Sequence, residues 1–146
     1  MRLSNDLREF IELLNSRGAE YVILGAHSLA FHARPRFTGD FEIFVKPTAE
    51  NAARILQALH DFGFGQVFEP HDFTAPGIVV QLGRAPNRVD LLTSISGVSI
   101  EEAFAGAVAA ELDGVPVVIL GREQLIRNKR AVGRAQDLAD LEQLES

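Results

Sequence analysis

The chain has 146 residues, of which 47% are hydrophobic and 23% are charged, and its formal net charge is −6. This size and composition suit one compact domain over residues 1–146, and the negative charge argues against a long, sequence-independent grip on nucleic acid. The absence of cysteine excludes disulfides, thiolate metal sites and cysteine nucleophiles. Since no apolar run approaches the length of a membrane span and the N-terminus has no signal-peptide core, we expect a cytoplasmic protein without membrane contact.

Hydrophobic periodicity predicts three helices and three strands in the first half of the chain. Ser4 and Thr48 have the side chains that cap helix N-termini, and glycines follow the predicted helix ends. The predicted helices cover residues 4–15, 26–32 and 48–62, and the predicted strands cover 21–24, 40–45 and 64–68.

The second half of the chain predicts four further strands and three further helices. Ser99 suits a helix N-cap, and Asp113-Gly114 is a strong signal for a two-residue hairpin turn. The predicted strands cover 78–82, 87–92, 110–112 and 115–120, and the predicted helices cover 100–105, 122–132 and 135–144. This order predicts an α/β (α+β) fold: a mixed central β-sheet flanked by helices, with a C-terminal helical pair.

Two carboxylates stand out in the strand predicted over 40–45. Asp40 and Glu42 are separated by one residue, so a strand projects both from the same face. Such a pair becomes favourable when a divalent cation lies between the two charges. The alternative is structural, with Asp40 capping the strand and Glu42 facing solvent.

Two more features bear on this pair. Gly25, between a strand and a helix, would let a phosphate approach the free N–H groups of the helix, with Ser28 as a further donor; the alternative is a purely steric role. Asp90 is a lone acid in an apolar strand, and it would join Asp40 and Glu42 if the two strands were adjacent. Its alternative is an ion pair with Arg88 or Arg84.

Together these segments resemble the nucleotidyltransferase superfamily of the DNA polymerase β type, and more narrowly small bacterial proteins related to abortive-infection toxin nucleotidyltransferases. The resemblance covers nearly the whole chain. It is carried by YVILGAHSLAFHARPRFTGDFEIFV, by RVDLL and by LIRNKRAVGRAQDLADLEQL, with Pro35, Arg36, Thr38 and Asp40 in a characteristic spacing.

By position, the resemblance implies a nucleotidyltransferase-like fold with Mg²⁺ or Mn²⁺ as cofactor and a nucleoside triphosphate (NTP) as substrate. It implies that the catalytic residues and metal ligands are Asp40, Glu42 and Asp90. It further implies that the nucleotide-binding residues are Gly25, Ala26, Ser28, Arg36 and Lys129. His27 lies near the ligand by position. Arg134 and Asp137 are expected to form an ion pair that joins the last two helices, and Asp140 is expected to be structural.

The function that the resemblance implies is transfer of a nucleoside monophosphate from an NTP to a protein or RNA hydroxyl, in a toxin–antitoxin or defence context. The chain is short for a separate acceptor-binding domain, so a homodimer or another partner would complete the acceptor site. The alternative is a degenerate module that binds a nucleotide or a partner protein without turnover. That alternative draws on Ala26, where relatives have Gly or Ser, and on Glu42, where relatives usually have Asp.

Overall fold

The structure is a computed structural model, and it describes residues 3–33, 40–84 and 87–145. Its centre is a mixed six-stranded sheet in the order β3-β4-β2-β1-β6-β5. The pairs β2–β4 and β1–β6 are parallel, and the other three neighbouring pairs are antiparallel. The strands are β1 (Tyr21–Leu24), β2 (Asp40–Val45), β3 (Val79–Leu82), β4 (Arg88–Leu92), β5 (Val108–Leu112) and β6 (Val115–Ile119).

In the described residues, six α-helices flank this sheet, as the sequence predicts. They are α1 (Asn5–Ser16), α2 (Gly25–His32), α3 (Ala49–Leu59), α4 (Ile100–Ala105), α5 (Arg122–Val132) and α6 (Ala135–Glu145). The predicted N-caps are confirmed, because the side chains of Ser4, Thr48 and Ser99 each accept a hydrogen bond from a backbone N–H in the first turn. The mixed α+β fold is therefore as predicted. No helix in the described part of the chain is long and apolar enough to cross a membrane.

The sheet separates two hydrophobic cores, because successive strand residues point to opposite faces. One face packs beneath α1 and α3, and its central residues are Tyr21, Ile23, Phe41, Ile43 and Leu91. The other face packs against residues of α2, α5 and α6, and its strand residues include Val22, Leu24 and Phe44. Asp40, Glu42 and Asp90 alternate with residues of the first core, so they belong to the second face.

The strand predicted over 64–68 is wrong. The structure has a π-type turn at His60–Phe64, directly after α3, and irregular turns follow it. Gly65, inside the predicted strand, has φ +60°, a backbone conformation outside the β region. The rings of Phe64 and Phe68 lie 5.9 Å apart and pack against the first core, so their apolar spacing reflects an aromatic cluster.

Candidate active site

Asp40, Glu42 and Asp90 lie on one face of the neighbouring strands β2 and β4. These strands run parallel in a register that places Glu42 opposite Asp90 and Asp40 opposite Arg88. The adjacency of the two strands, on which the predicted convergence of the three acids depends, is therefore confirmed. We call the group formed by Asp40, Glu42, Arg88 and Asp90 the carboxylate face.

The guanidinium of Arg88 lies between two of these carboxylates. One of its Nη atoms is 2.9 Å from Oδ2 of Asp40, and its Nε is 3.1 Å from Oδ1 of Asp90. Arg88 also donates a hydrogen bond of 3.2 Å to Oδ2 of Asp90. The ion pair that the sequence offered as an alternative role for Asp90 is thus present, and it extends to Asp40.

The carboxylate face has the chemistry to hold a divalent cation. Its donors are all carboxylate oxygens, which Mg²⁺ and Mn²⁺ prefer. Oδ1 of Asp90 is buried without a hydrogen-bond partner, although Nε of Arg88 is near, and a buried acceptor in this state lacks a well-directed positive partner. Over residues 3–33, 40–84 and 87–145, no three acidic, histidine or cysteine side chains already converge as a metal-binding group. The chemical type of the donors therefore suits a cation, but their positions in the described part of this structure do not form a metal-binding group, and Arg88 contacts Asp40 and Asp90.

Glu42 reaches from β2 to the turn that begins α2. Gly25 is the first residue of that helix and has φ +70°, a conformation that favours glycine. A β-carbon at this position would also overlap Oε2 of Glu42. The backbone turn therefore favours glycine at position 25, and a larger residue there would also displace the Glu42 carboxylate.

The surroundings of Glu42 disfavour its charged form. Burial raises the pKa of the Glu42 carboxyl above its ordinary range, and the negative charges of Asp90 and Asp40 raise it further, whereas Lys129 and Arg134 act in the opposite direction. A carboxyl group in this environment gains from an additional nearby cation.

A cleft of about 240 Å³ opens beside Glu42. It lies between the end of the sheet and the last two helices, and polar groups from both line it. Those residues include Gly25, Glu42, Ser94, Ser96, Asn128, Lys129 and Arg134. The cleft therefore combines the strand-to-helix turn, one acid of the carboxylate face and two basic side chains, a combination that suits an anionic ligand.

Comparison with protein families decides the family of the chain. Residues 3–146 match the family described as "Nucleotidyl transferase of unknown function (DUF2204)". The chain belongs to this nucleotidyltransferase family. Comparison with curated proteins finds no match. Among solved structures, the chain is similar to a proposed nucleotidyltransferase from Thermotoga maritima, with a TM-score of 0.63 and 18% identity over 93% of this chain and 88% of that one. That likeness supports the nucleotidyltransferase fold.

The turn that begins α2 carries three further residues of interest in this family member. Ala26 and Ser28 are buried, and the Ser28 hydroxyl donates to the Leu120 carbonyl over 3.4 Å. His27 is also buried, its ring lies 4.3 Å from that of Phe41, and its Nδ1 has no hydrogen-bond partner. Burial lowers the pKa of His27 to about 4, so the ring is neutral at pH 7.

Lys129 lies in the cleft wall but is held by two acids of α6. Its Nζ is 3.3 Å from Oδ1 of Asp137 and 2.9 Å from Oδ2 of Asp140, and its side chain is only 5% exposed. Arg134 forms the predicted ion pair with Asp137, with its Nε 2.8 Å from Oδ2. We call Lys129, Arg134, Asp137 and Asp140 the helical ion network. Its links between α5 and α6 come from Lys129, since Arg134 lies in the connection between them.

Of the predicted site residues, Gly25, Glu42 and Lys129 line the cleft, whereas Ala26, Ser28, Asp40 and Asp90 do not. Arg36 lies outside the described residues. Asn128 is a cleft residue that the sequence did not reveal, and its side-chain amide donates to the Ser96 carbonyl over 3.0 Å. The bridging role of Arg88 was also missed, although its position two residues before Asp90 on a strand places both side chains on one face.

Proposed function

We propose that the chain is a divalent-cation-dependent nucleotidyltransferase that moves a nucleoside monophosphate from an NTP to a hydroxyl of a protein or an RNA. The observation that carries this proposal is the parallel register of β2 and β4, which sets Glu42 opposite Asp90 and puts Asp40 on the same face. Membership of a nucleotidyltransferase family supports it.

The proposed reaction forms a bond between the acceptor oxygen and the α-phosphorus and breaks the bond from that phosphorus to the bridging oxygen of pyrophosphate. Asp40, Glu42 and Asp90 are the residues that would hold Mg²⁺ or Mn²⁺, which would supply charge neutralisation of the phosphates and of the leaving group. Asp90 accepts the proton of the acceptor hydroxyl. Gly25, Ala26 and Ser28 place the α2 N-terminus at the triphosphate, with Arg36 and Lys129 as further phosphate contacts.

The direct test is incubation of the purified chain with α-³²P-labelled NTPs, Mg²⁺ or Mn²⁺ and a cell extract. We expect label to appear on a protein or RNA band and pyrophosphate to be released, and we expect Asp40→Asn to lower both by about 100-fold or more. Glu111→Gln is the matched control, because Glu111 is an exposed acid on β5. Equal labelling by the wild type and Asp40→Asn would overturn the assignment.

A second function is favoured by the ion pairs of Arg88 with Asp40 and Asp90. In this reading the chain binds a nucleotide or a partner protein through the same cleft and releases no pyrophosphate. Isothermal titration with a non-hydrolysable NTP, together with a pyrophosphate assay, separates the two functions. Binding without pyrophosphate in the presence of the acceptor extract would favour the second.

We further propose that a protein partner or a second copy of the chain completes the acceptor site in the cytoplasm, in a toxin–antitoxin or defence pair. The support is the resemblance stated above. Light scattering of the purified chain, alone and with its acceptor, tests this part. Transfer by a strict monomer to its acceptor, with no further protein, would contradict it.

A further inference from the structure

We propose that Arg88 is a built-in counter-ion that competes with a divalent cation for Asp40 and Asp90, so that a cation binds only by displacing the Arg88 guanidinium. This inference rests on the proposed function, because it concerns the same carboxylates. It adds a residue that controls how tightly the cation is held.

The charge balance of the carboxylate face supports this role. Asp40, Glu42 and Asp90 share one face of two neighbouring strands. The nearby Lys129 is ion-paired with Asp137 and Asp140. Among the described residues, Arg88 supplies the positive charge that contacts Asp40 and Asp90 together.

The contacts of Arg88 also show why a bound cation would replace the guanidinium and not join it. The guanidinium touches Oδ2 of Asp40 and both oxygens of Asp90. A cation that joined Asp40 to Asp90 would use the same oxygens, and two positive charges in that space would repel each other.

The geometry of the Arg88–Asp90 ion pair gives a reason why a cation could displace the guanidinium. Oδ1 of Asp90 is buried without a hydrogen bond, and Nε of Arg88 is likewise buried without one, although the two atoms are 3.1 Å apart. The Nε–Oδ1 contact is thus held by charge without good hydrogen-bond direction, and the hydrogen bond between the two side chains is the one from Nη to Oδ2. The Arg88 side chain is about one-third exposed (33%), so its head has a route to solvent.

The test is Mn²⁺ binding to the purified full-length chain, measured from the free-Mn²⁺ signal in electron paramagnetic resonance and without nucleotide. We expect Arg88→Met to bind Mn²⁺ about tenfold more tightly than the wild type, since one nearby charge shifts an ionic equilibrium by about one to three log units. Arg88→Lys should fall between them, because lysine is a point charge without the planar fork. Arg127→Met is the matched control: Arg127 is ion-paired with Glu102, away from the carboxylate face, and its loss should leave Mn²⁺ affinity unchanged.

An unchanged or weaker affinity in Arg88→Met overturns the inference. If Arg88→Met does not fold, Arg88→Lys is the deciding variant, and we expect it to bind Mn²⁺ more tightly than the wild type does. Asp40→Asn separates this failure from failure of the proposed function. If Asp40→Asn abolishes Mn²⁺ binding while the Arg88 variants match the wild type, only the role of Arg88 is wrong. If Asp40→Asn binds as the wild type does, or no variant binds Mn²⁺, the cation assignment of the proposed function fails as well.

Discussion

The carboxylate face reaches the cleft through Glu42 and the helical ion network reaches it through Lys129 and Arg134, but the two groups differ in charge balance. The network sets Lys129 and Arg134 against Asp137 and Asp140, with Asp137, Asp140 and Lys129 buried. Among the described residues, the face sets the Arg88 guanidinium against three carboxylates, of which Asp90 is buried. A balanced group satisfies its own charges, whereas an excess of acids over described cations favours a cation from outside. The difference separates a group that holds helices together from one suited to a ligand.

The two groups also differ in how the chain assembles them. Residues of the helical ion network lie within one short stretch and meet across the α5–α6 connection. The carboxylate face joins β2 to β4, two strands separated by α3 and β3, so it depends on the tertiary fold. Substitutions should therefore act mainly on stability in the network and mainly on ligand binding in the face.

The largest expected loss of stability is from Lys129→Met. This change leaves Asp137 and Asp140 buried without their shared cation, and breaking a buried ion pair from one side costs about 3–5 kcal/mol. Urea unfolding followed by circular dichroism measures the loss. Arg130→Met is the matched control, since Arg130 makes an exposed ion pair with Glu145, a kind worth about 0–1 kcal/mol. Equal losses in the two variants would contradict the structural role of Lys129.

The next effect is a pH dependence of stability from His27, whose buried ring packs against Phe41. Its pKa is lowered from 6.5 to about 4 by burial, so the unfolded chain binds this proton more readily than the folded one. Above pH 6.5 the His27 ring is neutral in both states, and the folded state keeps its full stability. As the pH falls from 6.5 towards 4, protonation of the unfolded chain lowers the free energy of unfolding, by about 3 kcal/mol for this pKa shift.

Urea unfolding between pH 7 and pH 4 tests this assignment. We expect His27→Gln to flatten the part of the slope between pH 6.5 and 4. His71→Gln, at an exposed histidine, should retain the wild-type slope. A slope unchanged by His27→Gln would show that the ring is not buried in its neutral form.

A smaller effect is expected from Gly25→Ala, and its comparison with Gly18→Ala isolates the contact with Glu42. Both glycines have similar positive φ, +70° and +68°, but a β-carbon meets nothing within 4 Å at Gly18 and overlaps Glu42 at Gly25. Each variant should lose about 1–2 kcal/mol from the backbone. Only Gly25→Ala should also displace the Glu42 carboxylate and lower nucleotide transfer, and equal transfer in both variants would contradict that contact.

The smallest stability effect should come from Asp40→Asn. It removes one of three negative charges that share the carboxylate face, so relief of repulsion offsets the lost ion pair with Arg88. We expect a change within about 1 kcal/mol, measured by urea unfolding at pH 7. Asp140→Asn is the contrasting variant, because Asp140 is buried against Lys129; it should lose more stability. A larger loss of stability in Asp40→Asn than in Asp140→Asn would contradict the distinction between the carboxylate face and the helical ion network.

Much of the fold could be predicted because its signals are local. Helix caps such as Ser4 and Thr48 and the Asp113-Gly114 turn act within a few residues, and they predicted their elements correctly. The 64–68 segment failed because its phenylalanines pack in a cluster whose spacing imitates a strand. The sequence placed Asp40, Glu42 and Asp90 as candidates, but their alignment depends on the register of β2 and β4, which no local pattern specifies.

The overlap between Glu42 and the missing side chain of Gly25 links two positions that would otherwise vary independently during evolution. A family member with the shorter aspartate at the position of Glu42 would withdraw its carboxylate by one methylene. Space for a side chain would then open at the position of Gly25, where the backbone turn alone would still favour glycine. Where a family member has a residue larger than glycine at the position of Gly25, we therefore expect aspartate at the position of Glu42. Where it has glutamate at the position of Glu42, we expect glycine at the position of Gly25.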